Sequence, residues 1–193
     1  MEHYFTNNDN IKSITREIKF HIHNKDFTFY TDNGVFSKSG LDFGTRTLLE
    51  VIPILKIKGK VLDFGCGYGP IGIILSKLTN CQVDMIDVNI RAIGLSYKNA
   101  KINDVSVNVF ESDIYSEVKE KYNYIITNPP IRVGKKILYQ ILFEAKNHLE
   151  ADGEVWFVIN KDQGAKSLMR DLANLYDVRL VKKNKGFYII CLK

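Results

Sequence analysis

From Lys60 onward, short apolar runs alternate with segments whose apolar residues recur at helical spacing. This alternation is typical of β-α-β units and constrains the chain to an α/β fold with a mostly parallel sheet. Only residues 183–186 separate the last two runs, which is too short for a parallel crossover, so these strands are predicted to form an antiparallel hairpin. The seven predicted strands are Lys60–Phe64, Gln82–Asp87, Val105–Phe110, Tyr122–Thr127, Glu154–Ile159, Val178–Lys182 and Phe187–Leu192.

The first 45 residues follow a different pattern. Residues 14–23 and 26–30 predict two paired strands, and the glycine-punctuated segment 35–45 predicts a loop that leads into a helix from about Thr45. We expect residues 1–45 to be a small N-terminal β extension with a covering loop, on the same structural unit as residues 46–193. Later in the chain, one predicted helix face comprises Ile137, Leu138, Ile141, Leu142, Ala145 and Leu149, and a second comprises Leu168, Leu172 and Leu175.

Composition narrows the class of protein. The 193 residues fit one domain with a substantial core, and no apolar run is long enough to span a bilayer. Three scattered cysteines predict no disulfide framework, and with no signal peptide expected we predict a cytoplasmic protein. A net charge of +5 is compatible with a polyanionic partner. No metal site is predicted, because His21 and His23 together are too few to bind zinc.

Four polar residues stand at or just beyond the ends of successive predicted strands: Asp63, Asp87, Asp113 and Asn128. In an open parallel sheet, ligands bind at the carboxyl edge, where the strand order reverses. A single aspartate there is often only a helix cap or a turn residue. Four in succession predict a binding site at this edge.

The segment after the first of these strands, residues 63–72, is rich in glycine. Glycines permit a tight turn and let the backbone approach a ligand closely. Asp87 follows Asp63 by 24 positions, which suits a carboxylate that binds ribose hydroxyls, in NAD and in S-adenosylmethionine alike. Asp113 and Ile114 are suited to an adenine amine and an adenine ring face.

Asn128 is followed by Pro129 and Pro130, which restrict the backbone at the end of the strand. The asparagine oxygen and a nearby carbonyl can then accept both hydrogens of a planar amino group. This geometry suits methylation of an exocyclic base amine or an amide nitrogen, and a hydride-transfer enzyme has no use for it. An isolated Asn-Pro-Pro is often only a strand ending in a turn, but here it follows three other site-like residues.

Residues 63–69, 83–89, 112–115 and 128–131 together resemble class I S-adenosylmethionine-dependent methyltransferases. With the flanking segments 36–45, 128–135, 160–165 and 185–188, the chain is similar to the small-domain family of 16S ribosomal RNA guanine-N2 methyltransferases. The resemblance covers nearly the whole chain. It implies a Rossmann-like class I methyltransferase fold, S-adenosylmethionine as the cofactor, and ribosomal RNA or the small ribosomal subunit as the partner.

The resemblance also implies roles for individual residues. Asn128 with Pro129 and Pro130 would hold the target amine, while Phe36, Ile131, Arg132, Lys135 and Lys136 would contact the substrate. The loop around Phe36, Asp42 and Thr45 would close over the site. The implied cofactor-binding residues are Thr45, Asp63, Gly65, Cys66, Gly67, Gly69, Asp87, Val88, Asn89, Asp113, Ile114 and Asn128.

Two departures from related patterns bear on the substrate. Ile131 stands where DNA amino-methylating enzymes and glutamine methyltransferases place an aromatic residue, which disfavours both of those substrates. Some family members carry a second, degenerate methyltransferase-like half, which we do not expect here. The expected activity is therefore guanine-N2 methylation of small-subunit rRNA. Methylation of a protein glutamine or another base amine, a non-catalytic RNA-binding module and, more distantly, an NAD-dependent enzyme stay open, as do the target nucleotide and the oligomeric state.

Overall fold

The computed structural model describes residues 12–130 and 134–193. A small antiparallel sheet is formed by β1 (Arg16–Ile22) and β2 (Lys25–Thr31). The remaining seven strands form a single sheet. They are β3 (Lys60–Phe64), β4 (Gln82–Asp87), β5 (Asn108–Glu111), β6 (Tyr122–Thr127), β7 (Leu149–Asn160), β8 (Val178–Asn184) and β9 (Phe187–Leu192).

The order of the large sheet is β5-β4-β3-β6-β7-β9-β8. The first five strands in this order are parallel, and β9 pairs antiparallel with both β7 and β8. The predicted seven-stranded sheet with a closing hairpin is thereby confirmed. The chain builds outward from β3 toward β5 and then resumes at β6 on the other side of β3. The switch in strand order therefore lies between β3 and β6, whose carboxyl ends carry Asp63 and Asn128.

Within the described part of the chain, five α-helices pack on the two faces of the sheet. One face is covered by α1 (Phe43–Val51), α2 (Pro70–Leu78) and α3 (Ile90–Ile102), and the other by α4 (Lys135–Glu144) and α5 (Ala165–Leu172). Neighbouring residues of a strand enter opposite cores: Val61 packs with the first group of helices and Leu62 with the second, and both are fully buried. Burial on both faces explains why these strands are continuous apolar runs.

The helix expected through Leu149 ends earlier. α4 stops at Glu144, a 3-10 turn covers Ala145–His148, and Leu149 begins β7 opposite Tyr122. The apolar periodicity continues across this boundary because Ala145 and Leu149 are buried in the same core as α4. Leu175 also differs from expectation, since α5 ends at Leu172 and Leu175 is 39% exposed.

The small sheet is attached to α3 by two asparagines. Asn99 accepts a hydrogen bond from the backbone N–H of Tyr30 (2.7 Å) and donates to the Tyr30 carbonyl (2.9 Å). Asn103 makes the same pair of bonds with Thr28, at 3.3 and 2.7 Å. Asn99 also donates to the carbonyl of Tyr68, in the glycine-rich loop, at 2.8 Å. One buried side chain thus connects the N-terminal hairpin to the carboxyl edge of the large sheet.

Candidate active site

A cavity of about 540 Å³ opens at the carboxyl edge of the sheet, beside the switch in strand order. This is within the usual size range of small-molecule sites. Its wall combines the loops after β3, β4, β5 and β6 with the loop before α1. Predicted site residues on the wall are Phe36, Thr45, Gly65, Cys66, Gly67, Asp87, Val88, Asp113, Ile114, Asn128, Pro129 and Pro130.

The glycine-rich loop leaves open space in front of its backbone. Gly65 and Gly67 have φ values of +67° and +58°, a conformation that glycine adopts without strain. A side chain built at Gly67 would meet no atom within 4 Å, and one at Gly65 would meet only Pro130, at 4.0 Å. The two glycines therefore leave room for a ligand against the main chain.

Asp87 is held by the backbone of two loops. Its carboxylate accepts hydrogen bonds from the N–H of Gly67 (2.8 Å) and the N–H of Asn89 (2.9 Å). Burial raises the pKa of this carboxyl, and the backbone donors oppose the shift. Each oxygen keeps a lone pair, so the group can also accept hydrogen bonds from vicinal hydroxyls on its cavity side.

Three residues predicted to bind the cofactor lie behind the cavity wall rather than on it. Asp63 is fully buried and accepts a hydrogen bond from the N–H of Gly72 (2.8 Å), which fixes the start of α2. A side chain at Gly69 would come within 2.7 Å of Ile73 and 2.9 Å of Met85, so this glycine is required for packing. Asn89 caps α3 with its side chain. In this structure these three residues shape the site without lining it.

The other oxygen of Asp63 has no hydrogen-bond partner among the described residues. Burial, followed by the nearby charge of Asp87, raises the pKa of Asp63 to about 7. A buried carboxyl with one unpaired oxygen is costly to ionise. In the protein without ligand, Asp63 therefore carries a proton over a wider pH range than an exposed aspartate.

The loop after β5 presents Asp113 and Ile114 to the cavity. Ile114 has a φ of +52°, which is an outlier for a β-branched residue. The loop is fixed by Ser112, whose hydroxyl donates to the Ile114 carbonyl at 3.0 Å and accepts from Glu117 N–H at 3.2 Å. The strain at Ile114 keeps an apolar side chain on the wall, next to an exposed carboxylate.

Asn128 is oriented by the start of α1. Its Nδ2 donates to Oδ2 of Asp42 (3.0 Å) and to Oγ1 of Thr45 (2.9 Å). A carboxylate can only accept, so the atom that faces Asp42 must be the amide nitrogen. The carbonyl oxygen Oδ1 accepts no hydrogen bond from any described residue, and Asn128 lines the cavity. The site therefore presents an acceptor at the end of β6.

The residues after the Asn-Pro-Pro motif are only partly described. Ile131 and Arg132 lie outside the described residues. Lys135 and Lys136 begin α4, are exposed, and do not line the cavity. Lys135 places its ammonium 4.9 Å from the centre of the Tyr139 ring.

Among the wall residues that were not predicted from the sequence, two come from the C-terminal part of the chain. Gln163 comes from the 3-10 turn Lys161–Gln163, and Phe187 is the first residue of β9. The segments that contain them contributed to the family resemblance, but nothing local in those segments points to the cavity. Gln163 reaches this edge because it follows the carboxyl end of β7, which is parallel to β6, and Phe187 reaches it because the antiparallel pairing of β9 with β7 sets it opposite Asn160.

Cysteine and metal chemistry find no support at this site. Burial raises the pKa of the Cys66 thiol well above its usual range, so the sulfur stays neutral. Among residues 12–130 and 134–193, no three histidine, cysteine or acidic side chains cluster as metal ligands. No helix within the same residues is long and apolar enough to cross a bilayer.

Residues 26–191 match the family model of the methyltransferase small domain. The chain belongs to the methyltransferase small domain family. This confirms the family recognised from the sequence, and with it S-adenosylmethionine as the cofactor. The site fits that cofactor, since the open backbone at Gly65 and Gly67 and the acceptor lone pairs of Asp87 provide for a backbone-bound group and a ribose.

Two relatives illustrate the range of the family. The chain is 45% identical to YbxB of Bacillus subtilis, an uncharacterized protein, over 197 aligned residues that span 100% of the chain and 98% of YbxB. It is 38% identical over 159 residues to ribosomal RNA small subunit methyltransferase C of Haemophilus influenzae, a match that includes 80% of the chain and 48% of that relative. The chain thus spans about half the length of the ribosomal RNA methyltransferases it matches.

Solved structures confirm the Rossmann-like methyltransferase fold. The 16S rRNA N2 G1207 methyltransferase RsmC of T. thermophilus, in complex with AdoMet and guanosine, superposes with a TM-score of 0.84 at 22% identity, covering 94% of this chain and 51% of that one. The ribosomal protein L11 methylase of Lactobacillus delbrueckii subsp. bulgaricus gives 0.68 at 21% identity, covering 78% of each chain. At these identities the likeness establishes the fold alone.

Proposed function

We propose that this methyltransferase transfers the methyl group of S-adenosylmethionine to the exocyclic N2 amine of a guanine in small-subunit ribosomal RNA. The observation that carries the proposal is the orientation of Asn128, whose nitrogen is bound by Asp42 and Thr45. With the nitrogen bound in this way, Asn128 Oδ1 can accept a hydrogen bond from an N–H group but cannot bind a carbonyl oxygen, which is itself an acceptor. The likeness to RsmC of T. thermophilus, a 16S rRNA N2 G1207 methyltransferase, supports guanine N2 as the amine.

The protein acts mainly by positioning the two reactants. The bound cofactor supplies an electrophilic methyl group on a sulfonium. Asn128 Oδ1 and the Pro129 carbonyl accept the two N–H groups of the target amine, which directs the nitrogen lone pair toward the methyl group. As the nitrogen–methyl bond forms, the bond between the methyl carbon and the sulfonium sulfur would break and leave a neutral thioether, and the methylated nitrogen would lose one proton to solvent. Apolar wall residues such as Phe64 and Ile141 exclude water around the reacting atoms.

The roles of the wall residues belong to this proposal. Gly65, Cys66 and Gly67 surround the methionine part of the cofactor, Asp87 binds its ribose, and Asp113 with Ile114 contacts its adenine. A base inside a duplex must leave the stack to reach Asn128. A cytoplasmic location and RNA binding through Lys135 and Lys136 stay predictions.

The deciding experiment incubates the protein with labelled S-adenosylmethionine and either purified small subunits or 16S rRNA. The RNA is digested to nucleosides and the protein fraction to amino acids. We expect label in N2-methylguanosine with the wild-type protein and almost none with Asn128→Ala, which retains cofactor affinity because the amide contacts the incoming amine. Label in adenine, in cytosine or in a protein glutamine, with none in guanine, contradicts the substrate assignment.

The two remaining alternatives give different results in the same assay. A glutamine amide also offers a planar NH2 group, so the protein fraction tests that possibility directly. A non-catalytic RNA-binding module binds RNA but leaves no label in any fraction.

A further inference from the structure

The turn between β8 and β9 lies at the mouth of the cavity. Phe187, the residue after this turn, lines the cavity wall together with Asn128 and Thr45. Its ring centre is 5.5 Å from that of Phe43, the first residue of α1. The turn is also held by the residue after β7, because the N–H of Lys161 donates a hydrogen bond to the Gly186 carbonyl at 2.8 Å. The position of Phe187 is therefore set by both neighbours.

Phe187 is also close to the group that orients Asn128. A Cβ added to Gly44 would lie 3.0 Å from Oδ2 of Asp42 and 3.2 Å from two ring carbons of Phe187. The Phe187 ring and the Asp42 carboxylate thus both approach the position that a Gly44 Cβ would occupy. The half-buried ring of Phe187 is therefore near an amine bound at Asn128. A base that has left the helical stack is commonly held by an aromatic side chain that stacks on its ring.

We propose that residues 183–187, here termed the hairpin turn, are the RNA-contacting element, with Phe187 stacking on the target base. This proposal rests on the proposed function. It assigns to Phe187 the stacking role of the aromatic residue that related enzymes have at the position of Ile131. Base–aromatic stacking is insensitive to sequence and strong enough to hold an extruded base. Phe187 would contact the face of the base, and Asn128 would bind the amine at its edge.

Three lysines lie in or beside the hairpin turn, and in this proposal they provide the phosphate contacts. Lys161, Lys183 and Lys185 are exposed and form no ion pair with any carboxylate in the described part of the chain. The ammonium of Lys185 lies 5.5 Å from the centre of the Phe43 ring, and that of Lys183 lies 5.2 Å from the Tyr188 ring. The first contact keeps the Lys185 charge beside the Phe43–Phe187 ring pair, and the second keeps the Lys183 charge next to the following residue of β9.

The backbone of the turn gives independent support. Lys185 and Gly186 have φ values of +44° and +85°, so both central residues of this two-residue hairpin loop are left-handed. Asparagine or glycine is the usual residue at the first of these positions. A lysine there is unfavourable for the turn itself, which fits a residue retained for its charge.

The stacking role is tested with Phe187→Leu and Phe187→Trp on 16S rRNA. Leucine keeps the apolar volume against Phe43 but removes the aromatic face, so kcat/KM should fall about 5- to 150-fold. Tryptophan should lose less than leucine. Cofactor affinity, measured by calorimetry, and Tm should change little in both variants. Equal kcat/KM for leucine and wild type overturns the stacking role, while wild-type methylation of guanine leaves the proposed function standing.

The phosphate role is tested by RNA binding without catalysis. We expect Lys183→Ala combined with Lys185→Asn to weaken binding of 16S rRNA and to reduce the slope of log K against log salt by about 1 for each lysine. The matched control is Lys56→Ala with Lys58→Ala, two exposed lysines just before β3, at the opposite edge of the sheet. Equal slopes for the two double variants overturn this role.

Lys185→Asn alone separates charge from structure. Asparagine suits the left-handed turn, so Tm should stay equal or rise while RNA affinity falls. A fall in Tm with unchanged RNA affinity shows that Lys185 is structural and contradicts the proposal. If the wild-type protein methylates no RNA but binds it with a salt slope that the hairpin variants reduce, the proposed reaction fails and the docking surface stands.

Discussion

Asn128 can accept a hydrogen bond from a planar amine only because Asp42 fixes which end of the Asn128 amide faces the cavity. The two ends of an asparagine side chain have nearly the same shape, and a neighbour that only accepts decides which end faces it. Asp42 is also the N-cap of α1, where its Oδ2 accepts from the N–H of Thr45 at 3.0 Å. The same carboxylate oxygen therefore starts the helix and orients the amide.

This contact predicts a compensating pair of substitutions. Asn128→Asp sets two carboxylates about 3 Å apart, and the displaced acceptor should reduce kcat at least about 100-fold. Adding Asp42→Asn restores a donor between the two side chains and keeps a good helix cap, so part of the lost kcat should return. Single-turnover kinetics on rRNA measures both. A double variant no faster than Asn128→Asp shows that the contact does not orient the amide.

Asp63 predicts a pH dependence of stability in the cofactor-free protein. Its pKa is raised from 3.8 to about 7, so between these values the folded state holds a proton that the unfolded chain releases. The free energy of unfolding should therefore fall as pH rises through this window, by at most about 4 kcal/mol from this group, and level off above it.

Asp63→Asn isolates this effect. Urea unfolding at several pH values between 4 and 8 should show a flatter profile for the variant than for the wild type. Asp87, whose pKa is also raised, contributes with the same sign in both proteins, so the difference between the two profiles reports Asp63 together with its coupling to the Asp87 charge. Parallel profiles contradict the assignment.

At the scale of elements, α3 links the N-terminal hairpin to the rest of the protein. Its Asn99 is fully buried, serves three backbone groups, and reaches the glycine-rich loop through the Tyr68 carbonyl. We propose on this basis that residues 1–45 and 46–193 are one structural unit. The covering loop at 35–45 then moves with the hairpin and with α1.

Asn99→Ala should lower the free energy of unfolding by about 2–5 kcal/mol, because three backbone groups lose their partner. Urea unfolding measures this loss. Asn108→Ala is the matched control, since that exposed side chain donates only to Asp84, at 3.1 Å, and its loss should cost about 0.5 kcal/mol or less. Similar losses in both variants would show that the hairpin is not held through Asn99.

The strands and the closing hairpin were predictable because burial on both faces leaves continuous apolar runs. The ends of the elements were less predictable. Leu149 continues the helical periodicity of α4 but lies in β7, because residues of both elements are buried in the same core. Asp87 and Asn128 were predictable because Asp87 is the last residue of its strand and Asn128 directly follows its strand. Asp63 was predicted to touch the cofactor but is turned behind the glycine-rich loop, a direction that strand position alone does not determine.

For the whole molecule, the site combines segments that are far apart in sequence, and its predictability follows that separation. The part built from strand ends could be inferred from the sequence. Phe187 could not, because it begins its strand and only the antiparallel pairing of β9 with β7 brings it to the cavity. The orientation of the Asn128 amide could not be predicted either, because Asp42, which fixes it, is 86 positions away along the chain.

The two asparagines on α3 also solve a problem of self-association. A two-stranded sheet leaves a row of unpaired backbone groups on each outer strand edge, and such edges template aggregation. Thr28 and Tyr30 turn these groups toward α3, where Asn103 and Asn99 bind them. Residues four apart in a helix rise about 6 Å, close to the 6.4–6.8 Å that separates alternate strand residues. A helix face thus takes the place of a third strand, so this edge of the hairpin is closed to another chain.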